Sequence, residues 1–343
     1  MRIIYGLAGQ GFGHSARSRE VLKHLAAAGH DIKVFTYGQG AFFLHHDFDV
    51  FEIPGLVLVY KNNRINYLKT VLDNTQKIYG QAREWNKVKK VFKDFAPELV
   101  ITDFEPLTAL LAKNSRLPLV SIDNQHQLTN TEIKIGKNHL KDLMADKAII
   151  KMVIWSAKYY LITSFFTTKI EKKNTFLFAP IIRQEVLDLR PVKGDYFLVY
   201  EGADMGRLTE LFKRLPYKFV IFGPKRRGEE GNIIFKNFDT HEWLMYLNRC
   251  RAVIGTAGLS LLGEAIYLKK PYLALPIKRQ IEQIINAQYL QRLGYGQFSY
   301  DLTGEEFENF VAHLTEYEDK LTFADACGND GLFKKLDEII AGL

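Results

Sequence analysis

The sequence predicts an α/β protein built from two Rossmann-like domains, each around a parallel sheet. Three observations carry this expectation. Short apolar runs alternate with helical stretches through the first half of the chain, and the alternation starts afresh after a Pro- and Gly-marked break. The length of 343 residues exceeds one comfortable core and suits two domains of ordinary size.

In the first series, Ile3–Leu7, Ile32–Thr36, Leu99–Thr102, Leu119–Ile122 and Tyr160–Thr163 read as strands, with helices near 16–28, 66–95 and 106–114. Such βαβ alternation buries the strands on both faces of a parallel sheet. The second series has strands at Tyr196–Tyr200, Phe219–Phe222, Ala252–Ile254 and Tyr272–Leu275, with helices near 205–214, 240–248, 259–267 and 281–292. Pro180–Lys193, with Pro191 and Gly194 near its end, reads as the connection, so the domains are expected over 1–188 and 195–320 with a linker at 189–194. They are expected to face each other across a cleft. In the tail, 321–343, the residues Leu332, Phe333, Leu336, Ile339, Ile340 and Leu343 form an apolar stripe at helical spacing.

The composition, 47% hydrophobic and 25% charged, is that of compact globular units without low-complexity tracts. The chain opens directly on the strand-like Arg2-Ile3-Ile4-Tyr5, and its uncharged stretches reach only about a dozen residues against the ~20 of a membrane span. Neither signal-directed secretion nor membrane spanning is expected. Cys250 and Cys327 are too few for a disulfide framework and lack metal-ligand spacing, which fits a reducing cytoplasm.

The net charge of +7 admits nucleic acid, an anionic membrane surface or an anionic small substrate. Basic residues gather around Lys87–Lys93 and again from Lys134 to Lys173. In the second region they interleave with Met152-Val153-Ile154-Trp155 and Tyr159-Tyr160-Leu161. Two readings fit that region: a peripheral membrane face, or a solvated helix face beside a buried strand. The stretch Pro54-Gly55-Leu56-Val57-Leu58-Val59-Tyr60 likewise reads as an apolar loop at such a face or as an ordinary strand.

The most informative stretch runs from Arg249 to Leu293. Ala252-Val253-Ile254 breaks into Gly255-Thr256-Ala257-Gly258, followed by a helix carrying Glu264, then Pro271–Pro276 and the cluster Gln280-Ile281-Glu282-Gln283. A small-residue turn entering a helix presents backbone N–H groups where the helix dipole favours an anion, so phosphate binding is expected at Gly258, Leu259 and Ser260. Glu264 suits ribose hydroxyls, and Glu282 with Gln283 suits a sugar ring. Together these describe a nucleotide sugar.

A second glycine-rich turn, Gly9-Gln10-Gly11-Phe12-Gly13-His14-Ser15-Ala16-Arg17, follows the first strand. It is a poor dinucleotide fingerprint, because no GxGxxG match starts at Gly9 or Gly11 and Thr36-Tyr37-Gly38 stands where an acidic residue is required.

These segments resemble the GT-B glycosyltransferases over nearly the whole chain, in the branch holding the lipid-linked N-acetylglucosaminyltransferase of peptidoglycan synthesis and the plant and antibiotic glycosyltransferases. Where the plant enzymes place an imidazole near the phosphates, this chain has Thr256, which shifts diphosphate binding onto the N–H groups that follow. In Gly-x-Gly-His-x-x-Arg, the resemblance implies that His14 is a general base, with Gly11, Gly13 and Arg17 on the acceptor side. A helix-terminal anion contact is the plainer reading of His14. Asp103, ending its strand, can orient His14 or cap the helix beginning at Pro106. Asn124 and His126 end the next strand and suit acceptor contacts.

On the donor side, Gly202, Gly223 and Lys225 lie in loops at strand ends, while Phe238 falls where this branch recognises the base, and equally suits a core position. Thr256, Ala257 and Gln280 complete the expected donor set. Asp103-x-Glu105 resembles the metal-binding pair of a different glycosyltransferase fold, and no metal or cofactor is expected here. The resemblance implies an inverting hexosyl transfer from a UDP-sugar to a lipid-linked or polysaccharide acceptor of the cell envelope. It also implies domain closure and a terminal helix packed back on the first domain. A nucleotide-sugar hydrolase or 2-epimerase of the same fold, and a non-catalytic nucleotide or nucleic-acid binding protein, are the alternatives.

Overall fold

The computed structural model describes residues 1–55, 60–61, 64–65, 82–154, 156–200, 205–223, 227–322 and 328–343. The chain divides into two compact units, Met1–Ile181 with Gly328–Leu343, and Ile182–Cys327. The segment 182–194 therefore groups with the second unit.

The first unit is a seven-stranded parallel sheet. Its strands are β1 (Arg2–Leu7), β2 (Asp31–Thr36), β3 (Val50–Glu52), β6 (Leu99–Asp103), β7 (Leu119–Asp123), β8 (Tyr159–Thr163) and β9 (Thr175–Phe178), in the order β3-β2-β1-β6-β7-β8-β9. A separate two-stranded ladder joins β4 (Tyr60–Lys61) to β5 (Arg64–Ile65). β6 and β7 are buried at every position, as strands covered on both faces must be. One core layer packs Ile3, Tyr5, Val21, Leu22 and Leu25 with Leu332, Leu336 and Ile339 of the helix Asp330–Ala341. The opposite layer joins Ile4, Phe35 and Val100 to Val88 and Phe92 of the helix Ala82–Phe95 and to Leu107 and Leu111. The sequence-predicted helix over 66–95 is described only from Ala82 onward.

The second unit repeats the plan with β10 (Tyr196–Tyr200), β11 (Lys218–Phe222), β12 (Gly228–Glu230), β13 (Ile233–Lys236), β14 (Ala252–Gly255), β15 (Tyr272–Ala274) and β16 (Gly296–Phe298). Their order is β12-β13-β11-β10-β14-β15-β16, parallel except for β12. Phe197, Phe212, Phe219, Phe307 and Phe310 form its aromatic core. The helix Gly304–Ala312 within this core starts from a capping box, in which Thr303 and Glu306 satisfy each other's backbone N–H groups.

In each sheet the strand order reverses about one pair: β1 with β6 in the first unit, β10 with β14 in the second. Loops leaving the carboxyl ends of such a pair diverge to opposite faces, and the crevice between them is where open α/β sheets bind ligands. The two glycine-containing turns singled out in the sequence follow β1 and β14.

Candidate active site

At the first switch point, the chain leaves β1 through a turn that only glycine tolerates in two places. A Cβ on Gly9 would lie 1.7 Å from the Tyr37 carbonyl, and Gly11 has φ 91°. The helix Phe12–Ala27 then begins, and the i, i+3, i+4 spacing of His14, Arg17 and Ser18 puts all three on one face, toward Asp103 at the end of β6. His14 Nδ1 is 2.9 Å from Asp103 Oδ1. Arg17 donates to both carboxylate oxygens, Nε to Oδ2 at 2.7 Å and Nη2 to Oδ1 at 2.5 Å, and Ser18 Oγ donates to Oδ2 at 3.0 Å. Tyr5 donates in turn to Ser18 Oγ at 3.2 Å.

Asp103 is completely buried. Burial alone would push its pKa up, but the charges of Arg17 and His14 and their hydrogen bonds overcome that and hold the carboxyl well below its usual range. It is therefore ionised, which decides the tautomer of His14. A nitrogen lone pair facing a carboxylate oxygen at 2.9 Å would be repelled, so Nδ1 carries the proton and donates it to Asp103. The basic lone pair is then on Nε2. The His14 side chain is 18% exposed, whereas Arg17 is buried. Arg17 Nη2 also lies 2.9 Å from His14 Nδ1; with Nδ1 protonated the two are both donors, and what joins the guanidinium to the imidazole is the Asp103 carboxylate to which both donate.

The helix Pro106–Asn114 is capped by Glu105, which accepts from Leu107 N at 2.9 Å and Thr108 N at 2.6 Å. Asp103 is thus not that helix's cap. The two acidic side chains of Asp103-x-Glu105 serve separate partners, and among the described residues no group of three His, Cys, Asp or Glu could hold a metal. Phe104 between them has φ 55°, a left-handed conformation that is uncommon for a bulky residue.

The remaining acceptor-side residues divide. Gly11 N donates to Gln39 Oε1 at 2.9 Å, which fixes the turn, and Gly13 lies in the first helical turn beside His14. Asn124 is buried and accepts from Arg17 Nη1 at 2.6 Å, so it orients the guanidinium. His126 is only 2% exposed. Its Nδ1 lies 2.7 Å from Asp123 Oδ2, its Nε2 lies 3.4 Å from the Ile154 carbonyl, and its ring lies 4.8 Å from that of Tyr160. The expectation of an acceptor contact from His126 is therefore corrected: it is a satisfied core histidine. Ser18 and Tyr5 were missed in the sequence, although the i+4 spacing of Ser18 from His14 was there to be read.

The second switch point is built differently. After β14 come Thr256, Ala257 and Gly258, and Gly258 is the N-cap of the helix Leu259–Tyr267, with no side chain capping it. The carbonyls of this turn are turned inward. Thr256 O accepts from Tyr272 OH at 2.6 Å, and Ala257 O accepts from Asn286 Nδ2 at 2.9 Å. Ser260 lies in the first helical turn. Glu264, one turn further, is buried and held by Arg183 through two bonds, Nε to Oε1 at 2.6 Å and Nη2 to Oε2 at 2.8 Å.

Gln280 is the N-cap of the helix Ile281–Leu293, follows the left-handed Arg279 (φ 68°), and has a buried Oε1 with no hydrogen-bond partner. Glu282 is in the first turn of that helix, and Gln283 Oε1 accepts from Ile277 N at 3.0 Å. The Asn286 bond joins this helix to the Thr256–Gly258 turn, so the two donor clusters share one sheet edge. Gly223 donates its N–H to the Lys236 carbonyl at 3.0 Å at the same edge. Phe238 is 43% exposed and so is not a core residue; its ring lies within 6.2 Å of Tyr200 and 5.9 Å of Trp243. Gly202 and Lys225 lie outside the described residues.

Residues 1–315 match the model of a protein family described as glycosyl transferase family 1. The chain belongs to that family. Among its relatives is an uncharacterized glycosyltransferase of Methanosarcina acetivorans, 26% identical over 93% of this chain and 91% of the relative. The UDP-N-acetylglucosamine–N-acetylmuramyl-(pentapeptide) pyrophosphoryl-undecaprenol N-acetylglucosamine transferase of Thermotoga neapolitana is 24% identical over 61% of each chain. Among solved structures, the glycotransferase of kitacinnamycin superposes with a TM-score of 0.70 at 14% identity, over 98% of both chains. This family 1 glycosyltransferase accordingly has the GT-B architecture of two Rossmann-like units. No helix among its described residues is long and apolar enough to cross a membrane.

Proposed function

We propose that this glycosyltransferase moves a hexosyl group from a UDP-sugar to a hydroxyl of a lipid-linked or polysaccharide acceptor, with inversion at the anomeric carbon and without a divalent metal. The observation that carries the reading is the His14–Asp103 pair at the switch point of the first sheet. The ionised carboxylate fixes the Nδ1–H tautomer and stabilises the imidazolium as it forms, while Nε2 takes the proton of the attacking hydroxyl. Because the acceptor oxygen attacks the anomeric carbon directly, no enzyme carboxylate is required beneath the ring, and the configuration inverts.

The departing diphosphate is received by the N–H groups of Gly258, Leu259 and Ser260 at a helix N-terminus. Glu264, oriented by Arg183, accepts from the ribose hydroxyls, and Gln280, Glu282 and Gln283 hold the sugar. Phe238 stacks on the base. The name of the Thermotoga relative supports a UDP-linked donor and a lipid-linked acceptor; peripheral placement on the inner face of a membrane follows as part of the same proposal.

The test is a panel of UDP-, TDP- and GDP-sugars with acceptors, run in EDTA and in added magnesium, with the product anomer read by NMR. The expected result is transfer from UDP-sugars, unaffected by EDTA and inverted in configuration. Donor consumption independent of any acceptor would overturn transfer in favour of hydrolysis or epimerisation.

A further inference from the structure

One stretch, running from the β7–β8 crossover through the turn after β8, holds nearly all the net charge of the chain. Residues 134–173 contain nine lysines against three acidic residues, a surplus of six in a total of +7. This is most of the connection from β7 to β8, the buried strand β8 itself and the turn that follows, and the lysines stand on its exposed and half-exposed parts. Its central element, the helix Leu140–Val153, buries only Leu143 and Ile150.

The opposite face of that helix is not the polar face expected of a surface helix. Leu140 is 44% exposed, Met144 71% and Met152 65%, and the exposed Ala148 completes an apolar stripe at i, i+4, i+8 and i+12. Lys141 and Lys151, both exposed, flank the stripe. A bridge between Thr131 and Ile170 brings the Lys169–Lys173 turn to the same crossover, and Ile170 there is itself 42% exposed. Single exposed apolar residues need no explanation, but three large ones aligned along one helix and bordered by lysines form a patch.

We infer that this face docks the protein on an anionic membrane surface, with Leu140, Met144 and Met152 entering the headgroup boundary and Lys141 and Lys151 lying over lipid phosphates. An in-plane amphipathic helix with a basic border is the arrangement that binds through apolar burial and charge together. Nucleic acid fits the charge but not the stripe. Thioether and aliphatic side chains offer neither stacking planes nor hydrogen bonds to bases. The crossover leaves β7 at the sheet edge that also bears Asp103 and His14, so docking here would bring that edge toward lipid-borne hydroxyls. This use of the docking rests on the function proposed above; the docking itself does not.

The experiment is co-sedimentation of the full chain with vesicles of phosphatidylcholine and phosphatidylglycerol, and with phosphatidylcholine alone. The wild type is expected to bind the anionic vesicles, with binding weakened by salt. The Met144→Glu/Met152→Glu and Lys141→Glu/Lys151→Glu variants are each expected to lose at least about tenfold in partitioning. Transfer to a water-soluble acceptor is expected to be unchanged in both. Absence of wild-type binding, equal binding to neutral vesicles, or undiminished binding by both variants would overturn the inference. So would tight, salt-dependent binding of an oligonucleotide without vesicle binding. Failure of vesicle binding with sugar transfer intact removes the docking alone, whereas vesicle binding without donor consumption removes the enzymatic reading alone.

Discussion

The two switch points share a topology and differ in what they are made of. The edge of the first sheet is a side-chain site, in which His14, Arg17, Ser18, Asn124 and Asp103 form one hydrogen-bonded cluster around a buried negative charge. The edge of the second is largely a backbone site, in which an uncapped helix terminus follows a turn whose carbonyls are tied back by Tyr272 and Asn286. The difference matches the chemistry each can do. Moving a proton requires a titratable group in a defined tautomer, and only a side-chain network can fix one. Holding a diphosphate requires many donors of fixed direction, and a helix terminus provides them without a group that changes charge.

This contrast is broken most directly by exchanging the damage. His14→Ala is expected to lower kcat by roughly 10²–10⁴-fold while leaving the thermal shift by UDP unchanged. Glu264→Gln is expected to raise the donor KM about tenfold with kcat largely retained, because the neutral amide accepts more weakly than the carboxylate and offers Arg183 one acceptor oxygen in place of two. Equal loss of UDP binding in the two variants would remove the division of labour.

The next effect is on stability. Asp103→Ala removes the carboxylate counter-charge of the buried Arg17 and should cost about 3–5 kcal/mol, read by hydrogen exchange as opening of β1 and β6 with β10 and β14 unaffected. A uniform loss of protection in both sheets would show that the cluster is not local to its unit.

Acid should separate the edges in the same way. Asp103 and Asp123 are held below the ordinary carboxylate range in the folded chain, so the unfolded chain takes up their protons first. Their contribution is complete above about pH 5 and is lost as the pH falls through the unfolded value toward the folded ones. Glu105 behaves oppositely. Burial raises its pKa, so its contribution is present below the unfolded value and lost as the pH rises through the folded one. The first sheet should therefore lose exchange protection before the second as the pH falls from 5 to 3, about one unit either side of the carboxylate range, and Asp103→Asn should flatten that loss.

Smaller changes are expected in the second unit. Tyr272→Phe leaves the Thr256 carbonyl without its partner and should cost about 1 kcal/mol of stability with a modest rise in donor KM. Phe238→Ala should leave the unfolding transition in place, because the ring is exposed, and weaken UDP binding by only about 1 kcal/mol. No change in binding would return Phe238 to an ordinary surface role.

Legibility in the sequence followed the range of the interactions. The central strands β1, β2, β6, β7, β8, β10, β11, β14 and β15 announce themselves as short apolar runs, because each is buried on both faces. The edge strands β3, β9, β12 and β16, of three or four residues, do not, since one flank of each lacks a neighbour; β13, paired on both flanks, escaped notice because its apolar run is only three residues long. The turn at Gly9–Gly11 was readable because close backbone approach and positive φ leave a local mark in glycine, whereas Gly258, at φ −71°, was readable only as the small residue entering a helix. The burial of His126 was not: its partner Asp123 is three residues away, but the Tyr160 ring and the Ile154 carbonyl that enclose it arrive from another strand and a crossover.

By itself, the sequence determined the alternation of elements, the two glycine turns and the residue types placed at strand ends, since all of these depend on near neighbours along the chain. Tertiary structure alone decided that Asp103, 89 residues from His14, meets it at Nδ1, that Arg17 turns inward to bind the carboxylate, and that Arg183 clamps Glu264, 81 residues away. The first two are set by β1 and β6 lying adjacent at their switch point, and the third by the segment around Arg183 reaching the helix that follows β14. Strand order is fixed by the packing of whole sheets and leaves no local signature in the residues it brings together.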